Sequence, residues 1–171
     1  MRPVLPFFIL LLITGQAVAD QLPERKAGLW QLTMSMPGRS MPPTISKFCI
    51  DAATESALMG VGLSASKEMC SQYNVQVSGN IVTIDTTCKF GQSTQIAHAV
   101  TTYSGDSFYR TDILSHYAPP LFKDADNEIT IEGKWLGACP TDMKPGEMIG
   151  PGGLKMNLGG ALRPATNQPL Q

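Results

Sequence analysis

The stretch "CSQYNVQVSGNIVTIDTTC", Cys70 to Cys88, limits the folds open to this chain more tightly than its other segments do. Two runs rich in β-branched residues flank Gly79-Asn80, and a glycine-asparagine pair between such runs is turn chemistry. A two-residue turn there sets Val77 opposite Val82, Val75 opposite Ile84 and Tyr73 opposite Thr86. That register gathers the apolar residues on one face. A three-residue turn would scatter them, because a one-residue slip moves every side chain to the other side of the sheet. The segment is therefore predicted as an antiparallel hairpin with one face committed to a core. Cys88 then shares the face of Val82 and Ile84 while Cys70 points away, so the hairpin is not expected to bridge itself.

Much of the chain from Leu22 to Cys139 carries the same signature of short alternating runs broken by Gly, Asn, Asp and Pro. "AGLWQLTMSM" reads as a first strand with Trp30, Leu32, Met34 and Met36 on one face, and "TISKFCI" as a second. "DAATESALMG" reads as a short helix with Asp51 as N-cap and Gly60 as its stop. "GVGLSAS", Gly60 to Ser66, reads as a small-residue loop. A Gly105-Asp106 turn in "AHAVTTYSGDSFYRTDIL" sets Tyr103 opposite Phe108, and "NEITIEGKWLGAC" continues as a strand with Ile129, Ile131, Trp135 and Cys139 on one face. The fold expected is mainly β: an antiparallel curved sheet or small barrel of about six or seven strands, one short helix and two disulfides.

The N-terminus has the form of a secretory leader over residues 1–19. Arg2 supplies the charge, "VLPFFILLLI" the apolar core, and Ala17-Val18-Ala19 an A-x-A site with cleavage after Ala19. The apolar run is about half the roughly 20 residues a membrane helix needs, so no membrane span is expected. The mature chain from Asp20 keeps 12 basic and 14 acidic residues once Arg2 is removed, with both signs scattered, which gives no reason to expect nucleic acid as a partner. Residues 20–146 are read as a single β-rich domain and 147–171 as a Gly/Pro-rich, mostly disordered tail. From Pro140 onward 11 of 32 residues are Gly or Pro, a share typical of low-complexity chain.

Cys49, Cys70, Cys88 and Cys139 all follow the leader. An even number in an exported chain suits two disulfides, and their wide spacing lacks the paired ligands of a zinc site. Four cysteines allow three pairings. The face assignments point Cys88 and Cys139 inward together, which favours that pair and, by elimination, Cys49 with Cys70.

Taken in order, these segments resemble the domain-of-unknown-function family 3617, exported proteins of Gram-negative bacteria. The resemblance rests on "AGLWQLTMSMPG", on Cys49 followed by an acidic-start helix, on "VSGNIVTIDTTC", on "YSGDSF" and on "GKWLGACPTDMKPG". It implies a periplasmic location and a shape, and no biochemical role.

Catalytic chemistry is not legible. The chain has no G-x-S-x-G, phosphate-cradling glycine loop, H-E-x-x-H or dinucleotide fingerprint. In the expected second hairpin His98 faces Ile113 and His116 faces Gln95, which puts the two histidines on opposite faces. "KDADNE" has the composition of a calcium loop without its glycine or distal glutamate. Met34, Met36 and Met41 are the weak candidates for a metal, since thioether sulfur suits Cu(I). Sharing a stripe with Trp30 and Leu32 makes the first two core residues instead. The expectation is a non-enzymatic module without cofactor that binds a hydrophobic small molecule or an envelope protein.

Overall fold

The computed structural model describes residues 22–121 and 124–158. The expected leader with its cleavage site, and residues 159–171 of the expected tail, lie outside the described residues. Among the described residues nine strands form one antiparallel sheet: β1 Gly28–Ser35, β2 Thr44–Ile50, β3 Cys70–Ser78, β4 Ile81–Phe90, β5 Ser93–Ser104, β6 Phe108–Ala118, β7 Asp126–Gly137, β8 Glu147–Ile149 and β9 Lys155–Asn157. Their order is β3-β4-β5-β6-β7-β1-β2-β8-β9. The mainly β, antiparallel class is as expected, with a higher strand count and a sheet that does not close.

The two additional strands come from chain read as tail. β8 pairs with β2 through Lys47 and Phe48, and β9 pairs with β8. Glycine and proline content misleads here because the segment is tethered. The Cys49–Cys139 disulfide holds it beside β2, and the Gly146 amide donates to the Cys49 carbonyl at 2.8 Å. A short tether lowers the entropy lost when the following residues pair.

Among the described residues one α-helix, α1, runs Ala52–Met69. Asp51 caps it as predicted, its carboxylate accepting from the Thr54 amide at 2.8 Å. The helix does not stop at Gly60. It continues through the supposed loop, with Gly60 and Gly62 in its interior, where an added Cβ would meet nothing within 4 Å. Glycine inside a helix costs about 0.5–1 kcal/mol relative to alanine, which the flanking helix formers and the tie at each end absorb. The Cys70 amide closes the last turn on the Ser66 carbonyl, and the chain enters β3 directly.

This connection shapes the sheet. α1 joins β2 to β3, which lie six strand spacings apart. Laid flat, those spacings and an offset of about a dozen residues along the strands would separate Ile50 from Cys70 by about 50 Å. The 18 residues of α1 reach about 27 Å. The sheet must therefore coil strongly, bringing the start of β3 toward the end of β2. Leu58 packs on Trp30, Phe48 and Ile50, so α1 lies against the apolar side of the sheet at that end.

The disulfides are Cys49–Cys139 and Cys70–Cys88, which corrects the expected pairs, Cys49 with Cys70 and Cys88 with Cys139. The hairpin register itself is as predicted from Val77↔Val82 to Tyr73↔Thr86. Beyond Gln72↔Thr87 it shifts, and Cys70 pairs with Cys88. Ser71 is an extra residue in β3, a β-bulge that carries Cys70 over to the face of Cys88. Cys49 finds Cys139 because β1 lies between β2 and β7, with Leu29 opposite both Cys49 and Gly137. Their Cα atoms stand 5.7 Å apart.

Candidate functional site

Registers followed strand by strand divide the sheet into an apolar and a polar face. One continuous row on the apolar face is Val75, Ile84, Ala99, Ile113 and Ile129, contributed by β3 to β7. The adjacent row runs Val77, Val82, Thr101, Thr111, Ile131 and Met34. Its two threonines satisfy each other through a 2.8 Å hydroxyl contact, so the row carries no free polar group at its centre. Trp30, Phe48 and Ile50 are fully covered at the α1 end. Away from that end the covering thins: Ile84, Ile113, Ile129, Ile131 and Met34 are half-buried, and Tyr73 and Val75 are exposed.

The covered end is tied down by the segment before β1. The Trp30 indole donates to the Lys26 carbonyl at 2.8 Å and that of Trp135 to the Ala27 carbonyl at 3.0 Å. Arg25 grips Glu55 of α1 with two guanidinium nitrogens, one at 2.9 Å, and donates to the Tyr109 hydroxyl at 3.3 Å. Its guanidinium lies over the rings of Trp30 and Tyr109. Tyr109 in turn packs between Trp30 and Tyr103, with centroids 5.7 and 5.8 Å away. Burial raises the ionisation range of Tyr109 and of Tyr103 above that of free tyrosine, opposed in part by the charge of Arg25. A crevice of about 690 Å³ runs between this segment and α1, lined by Arg25, Glu55, Met59 and Asp106 among others.

The polar face holds both histidines. The second hairpin closes with a three-residue loop, Ser104 pairing with Phe108 and Tyr103 with Tyr109. That differs by one residue from the expected Gly105-Asp106 turn with Tyr103 opposite Phe108. It places His98 opposite Leu114 and His116 opposite Ile96, so the histidines share a face, contrary to the opposed placement expected. Each is partnered by the acid directly across the strand: His98 Nδ1 lies 2.7 Å from Asp85 and His116 Nδ1 2.7 Å from Asp126. Both line a groove of about 590 Å³ with Ile96, Leu114 and Asp124, beside Arg39 from the β1–β2 connection. Ser115 also borders this groove, but strand alternation sends its buried side chain to the apolar face.

Further along that face Arg110 meets Asp112 through two contacts of 2.9 and 2.8 Å and Glu132 at 3.0 Å. Thr130 donates to Asp112 at 2.8 Å. The hydrogen bonds from Arg110 and Thr130 hold the Asp112 carboxyl below the usual carboxylate range. Acids and bases here are matched across strands, as in Arg110 with Glu132, and along one strand, as in Arg110 with Asp112, an arrangement that stabilises a solvated sheet face.

Of the methionine candidates, Met34 lies half-buried on the apolar face between Thr44 and Ile131. Met36 follows the end of β1, and Met41 is 55% exposed in the connection to β2. Among the described residues no cluster of three or more His, Cys, Asp and Glu is arranged to hold a metal ion. No described helix is long and apolar enough to cross a membrane. Sequence reasoning missed the Arg25–Glu55–Tyr109 group, whose members are far apart in the chain. "ERKAGLW", with two cations just ahead of a strand-opening tryptophan, was the available signal.

A profile described as "Protein of unknown function (DUF3617)" matches residues 25–139. No curated protein and no solved structure matches the chain.

Proposed function

Because the chain belongs to DUF3617, whose description assigns no activity, we propose a function from its own geometry: an exported, periplasmic, non-enzymatic module that holds a hydrophobic small molecule against the apolar face of its sheet. The observation that carries this reading is the row Val75, Ile84, Ala99, Ile113 and Ile129. It crosses five strands, and its members are left partly open where α1 gives no cover. A face so apolar across its width gains free energy by covering, at about 25 cal/mol for each Å² removed from water. The coil imposed by α1 bends the sheet, and a bent apolar surface suits an elongated apolar ligand. The leader-like N-terminus and two disulfides support the assignment to an oxidising compartment.

The test is titration of the purified mature protein with cis-parinaric acid, a fluorescent acyl chain, alongside native mass spectrometry of protein recovered after export. Saturable binding that falls at least about tenfold in Ile113→Asp supports the reading. Parinaric acid that fails to bind at tens of micromolar, or that binds Ile113→Asp equally well, overturns it.

A further inference from the structure

The two edges of the sheet are unlike. β9 is three residues long and carries Lys155, which pairs with Glu147 at 3.0 Å. A short, charged strand of this kind discourages further pairing. β3 offers nine residues, Cys-Ser-Gln-Tyr-Asn-Val-Gln-Val-Ser, without a charge or a proline. Among the described residues no strand lies on its outer side, and Ser71 to Gln76 and Ser78 are exposed. In an antiparallel ladder the main-chain groups of alternate residues face away from the one partner present, so β3 presents a row of open donors and acceptors.

We propose that β3 pairs antiparallel with the β3 of a second copy of this chain about a two-fold axis. A two-fold interface must be self-complementary, since each residue i that meets j is matched by j meeting i. Centred on Val75, the pairing sets Val75 against its own copy, Tyr73 against Val77, Asn74 against Gln76 and Gln72 against Ser78. Directly opposed residues share a face, so the aromatic and aliphatic pairs fall on the apolar side and the amides on the polar side. A charged residue near the axis would meet its own like charge, and β3 contains none. The Ser71 bulge and the end of α1 both lie outside the Gln72–Ser78 window. The apolar row through Val75 and Ile84 then continues across the axis into the second sheet. Six backbone hydrogen bonds, about two for each of the outward-facing positions Tyr73, Val75 and Val77, and a small apolar contact suit a dimer of micromolar dissociation constant. An extended peptide from another protein satisfies the same backbone groups, but the two-fold match of side chains favours a second copy.

Sedimentation equilibrium of the mature chain tests this. The wild type is expected at twice the monomer mass at about 50 µM. Val75→Lys, which puts two ammonium groups at the axis, is expected at monomer mass and with the unfolding midpoint that the wild type shows when diluted well below its dissociation constant, while Val75→Thr stays dimeric. Independently, Val75→Cys is expected to cross-link to its own copy under mild oxidation, and Val77→Cys is not. A wild-type protein of monomer mass at about 100 µM, a Val75→Lys protein that remains dimeric, or a Val75→Cys protein that does not cross-link overturns the proposal.

Discussion

The contact between Gly133 and Tyr109 gives the sharpest test of how the covered end is built. Gly133 is buried in β7, and a Cβ added there would lie 2.1 Å from Tyr109 Cε1 and 2.4 Å from Cζ. The strand cannot yield, because Gly133 pairs with Tyr109 on one side and Leu32 on the other. Gly133→Ala must therefore push the ring by more than about 1 Å, out of its packing between Trp30 and Tyr103. Two aromatic pairs at about 0.5–1.5 kcal/mol each are weakened. With part of the ring's burial also lost, the total is about 2–4 kcal/mol. For a chain of this size that lowers the thermal midpoint by roughly 5–15 °C, measured by circular dichroism with the disulfides intact. A double-mutant cycle isolates the cause. In a Tyr109→Ala background the obstruction is gone, and Gly133→Ala should cost nothing or stabilise by about 0.5 kcal/mol through reduced chain entropy. Equal costs in both backgrounds, or an unchanged midpoint for the single variant, would refute the reasoning.

Other consequences follow from the cysteines, the tyrosines and the helix start. Non-reducing peptide mapping should recover Cys49 linked to Cys139 and Cys70 linked to Cys88. Replacing both cysteines of a pair by serine should cost more for the first, which spans 90 residues against 18, at about 4.5 against 3 kcal/mol by loop entropy. Alkaline difference spectroscopy should show Tyr103 and Tyr109 ionising above the ordinary value of 10.0. Their folded-state pKa exceeds the unfolded one, so the stability they contribute is complete below pH 10 and is lost as pH rises through the folded value. Ionisation of Tyr103 and Tyr109 at the ordinary value with the native fold retained would count against that burial. Asp51→Ala should lower stability by about 1 kcal/mol in urea titrations, the usual cost of a lost N-cap.

The strand alternation and the cap at Asp51 were readable because they depend on neighbours in sequence. The Gly79-Asn80 hairpin was readable for the same reason: its two-residue turn and its apolar pairs demand one register. The disulfide partners were not, although the inward placement of Cys88 followed from that register. A single bulge at Ser71 reverses Cys70, and periodicity carries no record of a bulge until its partner strand is known. The extent of α1 failed differently. Gly60 and Gly62 are weak stops whose small penalty is overridden once both helix ends are tied to the sheet. β8 and β9 were hidden by composition, because their pairing depends on a covalent link back to Cys49 from 90 residues away.

The histidines show how much chemistry hangs on one loop residue. "YSGDSF" permits either a two-residue Gly-Asp turn or a three-residue loop with Gly105 at positive φ, and both place an apolar residue near Tyr103. The observed loop has Gly105 at φ 64°, and the one-residue slip it introduces carries all of β6 with it. Tyr109 rather than Phe108 thus faces Tyr103, which lets its hydroxyl reach Arg25. The same slip brings His116 onto the face of His98 and opposite Ile96, where Asp126 can pair with it. One register therefore accounts for the aromatic anchor on one face and the histidine-acid pairs on the other. Cross-strand nuclear Overhauser contacts decide the matter: Ile96 with His116 and His98 with Leu114 are expected. Contacts of Gln95 with His116 and of His98 with Ile113 in their place would restore the two-residue turn and separate the histidines, and the Tyr109 anchor would fall with them.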